Sequence, residues 1–475
     1  MRKIIYISAI LSSLGAVAAE APKSATGNSR WSPYAPVVQP TPPEVRQKGW
    51  VRDPLDRFVL AQIEAKGLRP SPEADRATFI RRATLDAWGL LPTPEEIHDF
   101  VQDKSPQAYD KLVDRLLASP HFGERQARRW LDIARYADST GFQNDNTRPN
   151  NWRYRDYVIN SFNADKPFSR FIQEQVAGDE LFPGDQQALI ATGYLAGYPD
   201  NANSRDLVQR KYQIETDMTD LVGESLLGST IGCARCHNHK QDRVSQKEYF
   251  QLQAFFANTA FDEKRPLAKG TESAWDQAFE AEQAAYLEAT KDLRAKQKAI
   301  LDSVREAGRQ YYNERYLTDS RDAIFKPKAQ WTAIDRWVNH RKDAVATDAD
   351  IVAYLREFGQ QKDRQGYSEE IAIKLKAYNK VAEELKAFDK LKPAKGSRFL
   401  TTATELGHAD APATFVRFGG IHERPTEEVQ PALPALWVGK GAQPVIQPLA
   451  QSSGRRSALA NWLSSDSNPL TPRVY

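Results

Sequence analysis

Residues 53–67 read DPLDRFVLAQIEAKG and contain both the start and the end signals of an α-helix. Asp53 can cap the first turn, Pro54 suits the first helical position, and Gly67 is the glycine that commonly follows a helix. Residues 93–96, TPEE, form a capping box with proline in the first turn. The sequence therefore predicts a region of short α-helices with well-marked ends.

Two longer amphipathic segments follow beyond residue 274. Apolar residues recur every seven positions from Phe279 to Ala307, and a matching stripe runs from Ile371 to Phe388. These stripes predict a coiled-coil-like antiparallel helical hairpin over residues 275–395, with residues 318–367 at its tip. A parallel coiled coil between two chains is the alternative, and we favour the hairpin because one chain supplies both stripes.

The last quarter of the chain has a β-like pattern. Short β-prone runs lie at residues 399–404, 414–418 and 433–438, separated by turn-forming residues, and a helical stretch follows at 452–462. The predicted fold class is therefore mainly α. We expect a helical domain over residues 51–260, the hairpin, and a small β-rich segment over residues 396–450.

Residues 1–19, MRKIIYISAILSSLGAVAA, fit a cleavable export signal with a basic start, an apolar middle and small residues at its end. The apolar part is shorter than the roughly 20 residues that span a bilayer, so we expect no membrane span. An apolar helix retained in the fold is the alternative. We expect a periplasmic or secreted protein in which residues 20–50 form an extended lead-in.

Composition excludes several classes of protein. Lys and Arg total 65 against 62 Asp and Glu, which gives a formal net charge of only +3 and argues against a nucleic-acid partner. The chain has two cysteines, whereas a disulfide-rich scaffold needs more and a ferredoxin-type cluster needs four thiolates. Residues 124–157 are unusually aromatic and basic. Such a composition can indicate a binding site for a flat or acidic ligand, but more commonly it indicates an ordinary core with a charged rim.

Residues 233–237, CARCH, form the C-x-x-C-H pattern of c-type haem attachment. In one turn Cys233 and Cys236 come to the same side, and His237 can serve as the proximal iron ligand. A zinc site that adds His239 would crowd four ligands into seven residues, and a thioredoxin-like motif needs a βαβ context. A structural disulfide remains an alternative. For the distal iron ligand, Met218 and His121 are weak candidates.

Residues 31 to about 260 resemble the second cytochrome-like domain of large secreted proteins from Planctomycetes and Verrucomicrobia, a family of unknown function. The resemblance lies in WVRDPLDRFVLAQIEAKGLRPSPEADR, GLLPTPEEI, YDKLVDRLLASPHFGERQARRWLDIARYADS, NNWRYRDYVI and LLGSTIGCARCHNHKQDRVSQKEYFQLQAFFAN. The stretch SSGRRSALANWLSSDSNPLTPRVY resembles the opening of the family's C-terminal Planctomycete-specific domain. Residues 451–475 are therefore expected to be the truncated start of that domain.

The resemblance implies an exported, haem-binding protein with relatives beside sulfatases and other polysaccharide-degrading functions, but it implies no established reaction. Its motif carries over to Cys233, Cys236, His237, His239 and His121. The chain departs from the family in lacking an earlier cytochrome domain and in losing a histidine before Trp130. It also has Asn238 in place of an aspartate. If that aspartate orients the proximal imidazole, Asn238 is expected to do so more weakly.

These observations lead to two main hypotheses. The first is an exported c-type cytochrome-like protein with one covalent haem c, which transfers electrons to an unidentified redox partner and is linked to polysaccharide-related enzymes. The second is a secreted scaffold or carbohydrate-associated binding module with a Cys233–Cys236 disulfide and no haem. Peroxide chemistry at a haem with an exchangeable distal site is a third. No nucleophile elbow, phosphate loop or zincin motif occurs, so whether the protein is an enzyme stays open.

Overall fold

The computed structural model describes residues 32–142, 145–201, 203–270, 272–345, 347–393, 399–439 and 441–474. The predicted export signal, residues 1–19, and the first part of the lead-in lie outside the described residues. The described chain is mainly helical, with a few short antiparallel strands in two small sheets, as the sequence predicts. No described helix is both long and apolar enough to cross a membrane.

The first part of the chain is built from helices whose ends follow local sequence signals. The Asp53 side chain accepts a hydrogen bond from the backbone N–H of Leu55 at 2.8 Å, and Thr93 forms the predicted capping box with Glu96. Both predicted helix starts are thus confirmed. The helices are α1 (Pro54–Ala65), α2 (Arg76–Trp88), α3 (Pro94–Gln102), α4 (Ala108–Leu117), α5 (Pro120–Ile133), α6 (Trp152–Asn163), α7 (Phe168–Leu181), α8 (Gln186–Ala191), α9 (Leu207–Leu227) and α10 (Gln246–Gln253).

The second part contains further helices and all four described strands. The helices are α11 (Ala274–Ala289), α12 (Lys291–Asn313), α13 (Thr318–Phe325), α14 (Ala333–Val345), α15 (Asp348–Gly359), α16 (Glu369–Lys386), α17 (Ala435–Val438), α18 (Arg455–Leu463) and α19 (Thr471–Val474). The strands are β1 (Thr259–Pro266), β2 (Phe399–Glu405), β3 (Thr414–Arg417) and β4 (Pro425–Val429). The predicted helix over residues 452–462 is therefore confirmed as α18.

Each small sheet is one antiparallel pair. β1 pairs with β2, with Thr259 opposite Glu405, and β3 pairs with β4. The predicted strands at 399–404 and 414–418 are confirmed, but the predicted strand at 433–438 is wrong. Pro434 there begins the single helical turn α17, in which the N–H of Trp437 bonds to the Pro434 carbonyl at 2.9 Å. Trp437 is buried in the main core, which fixes this turn.

The two amphipathic stripes pack together, but a third helix joins them. Leu301 of α12, Leu355 of α15 and Leu375 of α16 are buried in one small hydrophobic cluster. The first stripe is also interrupted, because α11 ends at Ala289 and α12 begins at Lys291. The second stripe therefore packs within a cluster of three helices.

The segment between the stripes folds back onto the first part of the chain. Helices α13 and α14 contact α9, and α14 also contacts β1. The indole N–H of Trp337 donates to the carbonyl of Thr259 at 2.9 Å, and both residues are buried. Residues 318–345 therefore do not lie at the tip of a hairpin. The main core is continuous from α5 to α18 and includes strand residues such as Leu400 and Ala403.

Candidate functional site

The C-x-x-C-H stretch begins on a short 3-10 helix, Ile231–Arg235, which follows α9, and Cys236 and His237 come directly after that helix. Ile231 and Ala234 are fully buried in the main core, while Cys233 and Cys236 are exposed and are not bonded to each other. Burial of the two apolar side chains fixes which side of the turn faces the core. Both thiols are therefore presented to solvent, where a large group can reach them.

The imidazole of His237 is exposed and has a defined tautomer. Its Nδ1 lies 2.8 Å from the backbone carbonyl oxygen of Asn238, and because a carbonyl only accepts, Nδ1 carries the hydrogen and donates it. In the neutral imidazole, Nε2 is then the nitrogen without a hydrogen, which is the form that binds a metal ion. The Oδ1 atom of Asn238 instead accepts from the backbone N–H of Gln246 at 2.9 Å. In the structure the backbone carbonyl of residue 238, and not its side chain, accepts from the imidazole.

His239 has a structural position in the loop that follows. Its Nδ1 accepts from the backbone N–H groups of Asp242 at 2.9 Å and Gln241 at 3.3 Å. The ring is largely buried and stabilises the turn before α10. Across the described ranges, no group of three or more His, Cys, Asp or Glu side chains is placed to hold a metal ion.

A distant segment of the chain forms one wall of the motif. The side-chain amide of Gln246 donates to the carbonyl of Arg235 and to the carbonyl of Arg417, each at 2.8 Å, and so joins the motif to the end of β3. A Cβ built on Gly420 would lie only 2.8 Å from Sγ of Cys236. The glycine at position 420 therefore allows the loop after β3 to pack directly against the second thiol.

The same loop carries two exposed apolar side chains. Phe418 is 64% exposed and Ile421 is 41% exposed, and they flank the glycine pair Gly419 and Gly420. Single exposed apolar residues are common on protein surfaces. Here the pair lies beside the exposed Cys236, so the site has an apolar border on one side.

The two distal-ligand candidates have different surroundings. The Met218 side chain is fully buried in the main core. His121 lies at the start of α5, where its Nδ1 is 3.0 Å from Glu124 Oε2 and its ring centroid is 5.6 Å from that of Trp88.

A half-buried carboxylate lies behind the motif and was not singled out by the sequence. A Cβ built on Gly232 would lie 3.3 Å from Oδ2 of Asp220, and the Tyr249 hydroxyl donates to Oδ1 of Asp220 at 2.9 Å. Burial raises the pKa of Asp220 to about 6, although the Tyr249 hydrogen bond lowers it. Asp220 and Arg235 both line a cavity of about 340 Å³. The motif therefore has a titratable group and a cavity on its inner side.

A second buried polar cluster lies away from the motif, where α18 meets α7 and β2. The guanidinium of Arg456 is fully buried and pairs with Asp179 at 2.7 Å, Glu180 at 3.2 Å and Glu405 at 3.6 Å. Burial is the main cause that raises the pKa of Glu180 to about 7, and the neighbouring carboxylates act in the same direction. No local sequence pattern marks this cluster, because its members come from three separate elements. It holds α18 against the earlier part of the chain.

The structure thus defines a mainly helical protein with an exposed C-x-x-C-H site at the end of a buried helix. Residues 54–261 match the model of the family PSCyt2, described as a protein of unknown function (DUF1549). The matched segment begins at the first residue of α1 and ends within β1, and it includes the motif. No curated protein and no solved structure showed significant similarity to the chain.

Proposed function

We propose that the chain is an exported c-type cytochrome-like protein that holds one covalent haem c and transfers electrons. The observation that carries the proposal is the presentation of Cys233, Cys236 and His237 on one exposed turn. The C-x-x-C-H spacing is the attachment pattern of haem c. When bound, such a group supplies a one-electron iron couple.

The donor atoms of the motif fit this group. Cys233 and Cys236 would hold the porphyrin through two thioether bonds, and His237 would ligate the iron through Nε2. The hydrogen bond from Nδ1 to the Asn238 carbonyl supports this role, because it leaves Nε2 unprotonated and fixes the ring plane. The exposed thiols also suit attachment of a preformed group from outside the fold.

The residues beside the motif would set the polarity around the porphyrin. Phe418 and Ile421 can cover an apolar edge and exclude water there, and exclusion of water is one of the factors that set a haem potential. In the same proposal, neither the buried Met218 nor the α5 residue His121 supplies the sixth ligand. The distal position is then open to water or to a small ligand. We further propose export through the leader at residues 1–19, with an exported redox partner.

The test is to express the full chain with a cytochrome c maturation system and to stain a denaturing gel for haem. We expect a haem-positive band, a mass gain of one haem and a Soret absorption peak. The variants Cys233→Ser and Cys236→Ser should each lose one thioether, and the double variant should be colourless. The matched control His239→Ala should keep the stain, because His239 only stabilises the neighbouring turn.

A colourless protein with both thiols intact would contradict the proposal. A mass loss of two hydrogens would instead show a Cys233–Cys236 disulfide and favour a secreted scaffold. If haem is present, carbon monoxide added to the reduced protein should change the spectrum, because the proposed distal position is open. An unchanged spectrum would show a protein ligand at that position.

A further inference from the structure

A large cavity lies away from the motif, where α6 and α8 meet the start of α11. Its volume is about 860 Å³, within the range of small-molecule sites. Trp275 at the start of α11 is 44% exposed and meets Trp152 of α6 edge to face, with ring centroids 5.5 Å apart. The cleft therefore has an accessible aromatic wall.

The walls of this cleft are fixed by a buried ion pair. Arg153 Nη2 of α6 lies 2.5 Å from Asp276 Oδ1 of α11, and both side chains are buried. The Asp276 carboxylate also accepts from the backbone N–H of Ser273 at 2.9 Å, which closes the capping box of α11. These contacts hold Ser273 and Asp276 on either side of Trp275, so the position of Trp275 does not depend on a bound ligand.

The indole of Trp275 is the more accessible of the two aromatic groups. The Arg153 guanidinium lies 4.4 Å from the ring centroid of Trp152 and covers one of its faces. Trp152 is only partly exposed, whereas Trp275 is exposed. A ligand that enters the cleft meets Trp275 first.

The remaining lining includes several polar and charged side chains, but the charges balance. Arg155 pairs with Asp156 at 2.8 Å, and the other charged residues of the lining are the paired Arg153 and Asp276. Asn160 and Gln187 expose side-chain amides at the rim, and an amide both donates and accepts hydrogen bonds. The cleft therefore combines an aromatic surface with several hydrogen-bonding groups, and the charges of its lining residues cancel.

We propose that this cleft binds a neutral oligosaccharide. A sugar ring has an apolar face of C–H groups that can lie on the Trp275 indole, and a ring of hydroxyls that can bond to Asn160, Gln187 and the Arg155–Asp156 pair. A purely aromatic ligand would leave the amides unused, and an acidic ligand would meet no unpaired cation among these lining residues. The site is independent of the proposed haem site, since none of its residues belongs to the motif or its wall.

The test is isothermal titration calorimetry of the full chain with five neutral tetrasaccharides: cello-, xylo-, manno-, malto- and laminaritetraose. We expect at least one to bind with saturable heat. The variant Trp275→Ala should weaken that binding by roughly tenfold or more, because an exposed indole that stacks on a ligand is a typical binding hot spot. Asn160→Ala should weaken it by a smaller factor.

The matched control is Trp50→Ala, which removes a tryptophan of similar exposure, 38%, from a distant 3-10 turn. This variant should bind as the unmodified chain does, and so should the double variant Cys233→Ser/Cys236→Ser, which cannot attach haem. Absence of binding to all five sugars would overturn the proposal. Equal binding by the Trp275→Ala protein, with its helical circular dichroism unchanged, would overturn it as well.

Discussion

Gly420 packs against Cys236 so closely that a Cβ built on the glycine would lie 2.8 Å from the cysteine sulfur. Gly420 also has a φ of +73°, which side-chain-bearing residues adopt at a cost. Two separate physical reasons therefore require glycine at this position. The contact between Gly420 and Cys236 joins the exposed motif to a loop from the last part of the chain.

The first prediction compares two glycine substitutions. Gly420→Ala and Gly407→Ala both place alanine at positive φ, which costs about 1 kcal/mol of unfolding free energy. Only Gly420→Ala adds a clash, since nothing lies within 4 Å of a Cβ on Gly407. We expect Gly420→Ala to lose about 1–3 kcal/mol more in urea denaturation. Equal losses would show that the loop moves away from Cys236 without cost.

The second prediction concerns the buried cation. Arg456→Met keeps the bulk of the side chain but leaves Asp179, Glu180 and Glu405 without their shared guanidinium. Removing one partner of a buried ion pair typically costs about 3–5 kcal/mol, so we expect a large fall in the urea midpoint. Arg424→Ala, at an exposed position, is the control and should change stability by less than about 0.5 kcal/mol. Similar midpoints for both variants would contradict this role of Arg456.

The third prediction is a pH dependence of stability. Burial raises the pKa of Glu180 from its usual 4.5 to about 7, so the folded chain keeps a proton that the unfolded chain releases in this interval. The contribution of Glu180 to the free energy of unfolding is therefore fully present below pH 4.5 and is lost as the pH rises to about 7. Glu180→Gln cannot release a proton, so its melting temperature should fall less between pH 5 and pH 8.

The control for this measurement is Glu427→Gln, which changes a carboxylate in a surface pair with Lys247. Differential scanning calorimetry of this variant should show the pH dependence of the unmodified protein, because exposed ion pairs contribute little. If the Glu180→Gln profile coincides with that of Glu427→Gln, Glu180 does not titrate in this range in the folded state.

The fourth prediction tests the three-helix cluster of α12, α15 and α16. Leu355 is fully buried there, and Leu355→Ala should cost about 2–5 kcal/mol. Hydrogen exchange should accelerate in α12, α15 and α16, while α9 in the main core keeps its protection. Ile373→Ala, on an exposed face of α16, should leave exchange unchanged. Equal acceleration in α9 would show that the two cores unfold together.

Local structure was predictable wherever a few neighbouring residues decide it. Asp53 and Thr93 mark the starts of α1 and α3, and Gly67 follows the end of α1 at φ +68°. The strand over residues 433–438 was predicted wrongly, because a β-prone composition cannot reveal that Trp437 is buried on a single turn. The strand β1 was not predicted, since it depends on pairing with the distant β2.

The candidate site was predictable in its motif but not in its surroundings. The spacing of Cys233, Cys236 and His237 is local, and so it can be read directly from the sequence. The contacts from Gly420 and Gln246 require the folded chain, because they join segments far apart in sequence. The aromatic and basic stretch at residues 124–157 proved to have two parts, with Trp130 buried in the core and Trp152 lining the cleft.

Arg456 is synthesised after the three carboxylates with which it pairs, and this order affects how the protein folds. A ribosome adds Asp179, Glu180 and Glu405 well before it adds the only guanidinium that pairs with all three among the described residues. A nascent chain that stops short of residue 456 holds acidic groups that repel one another where α7 must meet β2. Native assembly of that junction therefore requires the stretch that carries Arg456, and a polypeptide shortened before it is expected to be open to proteases where α7 and β2 meet.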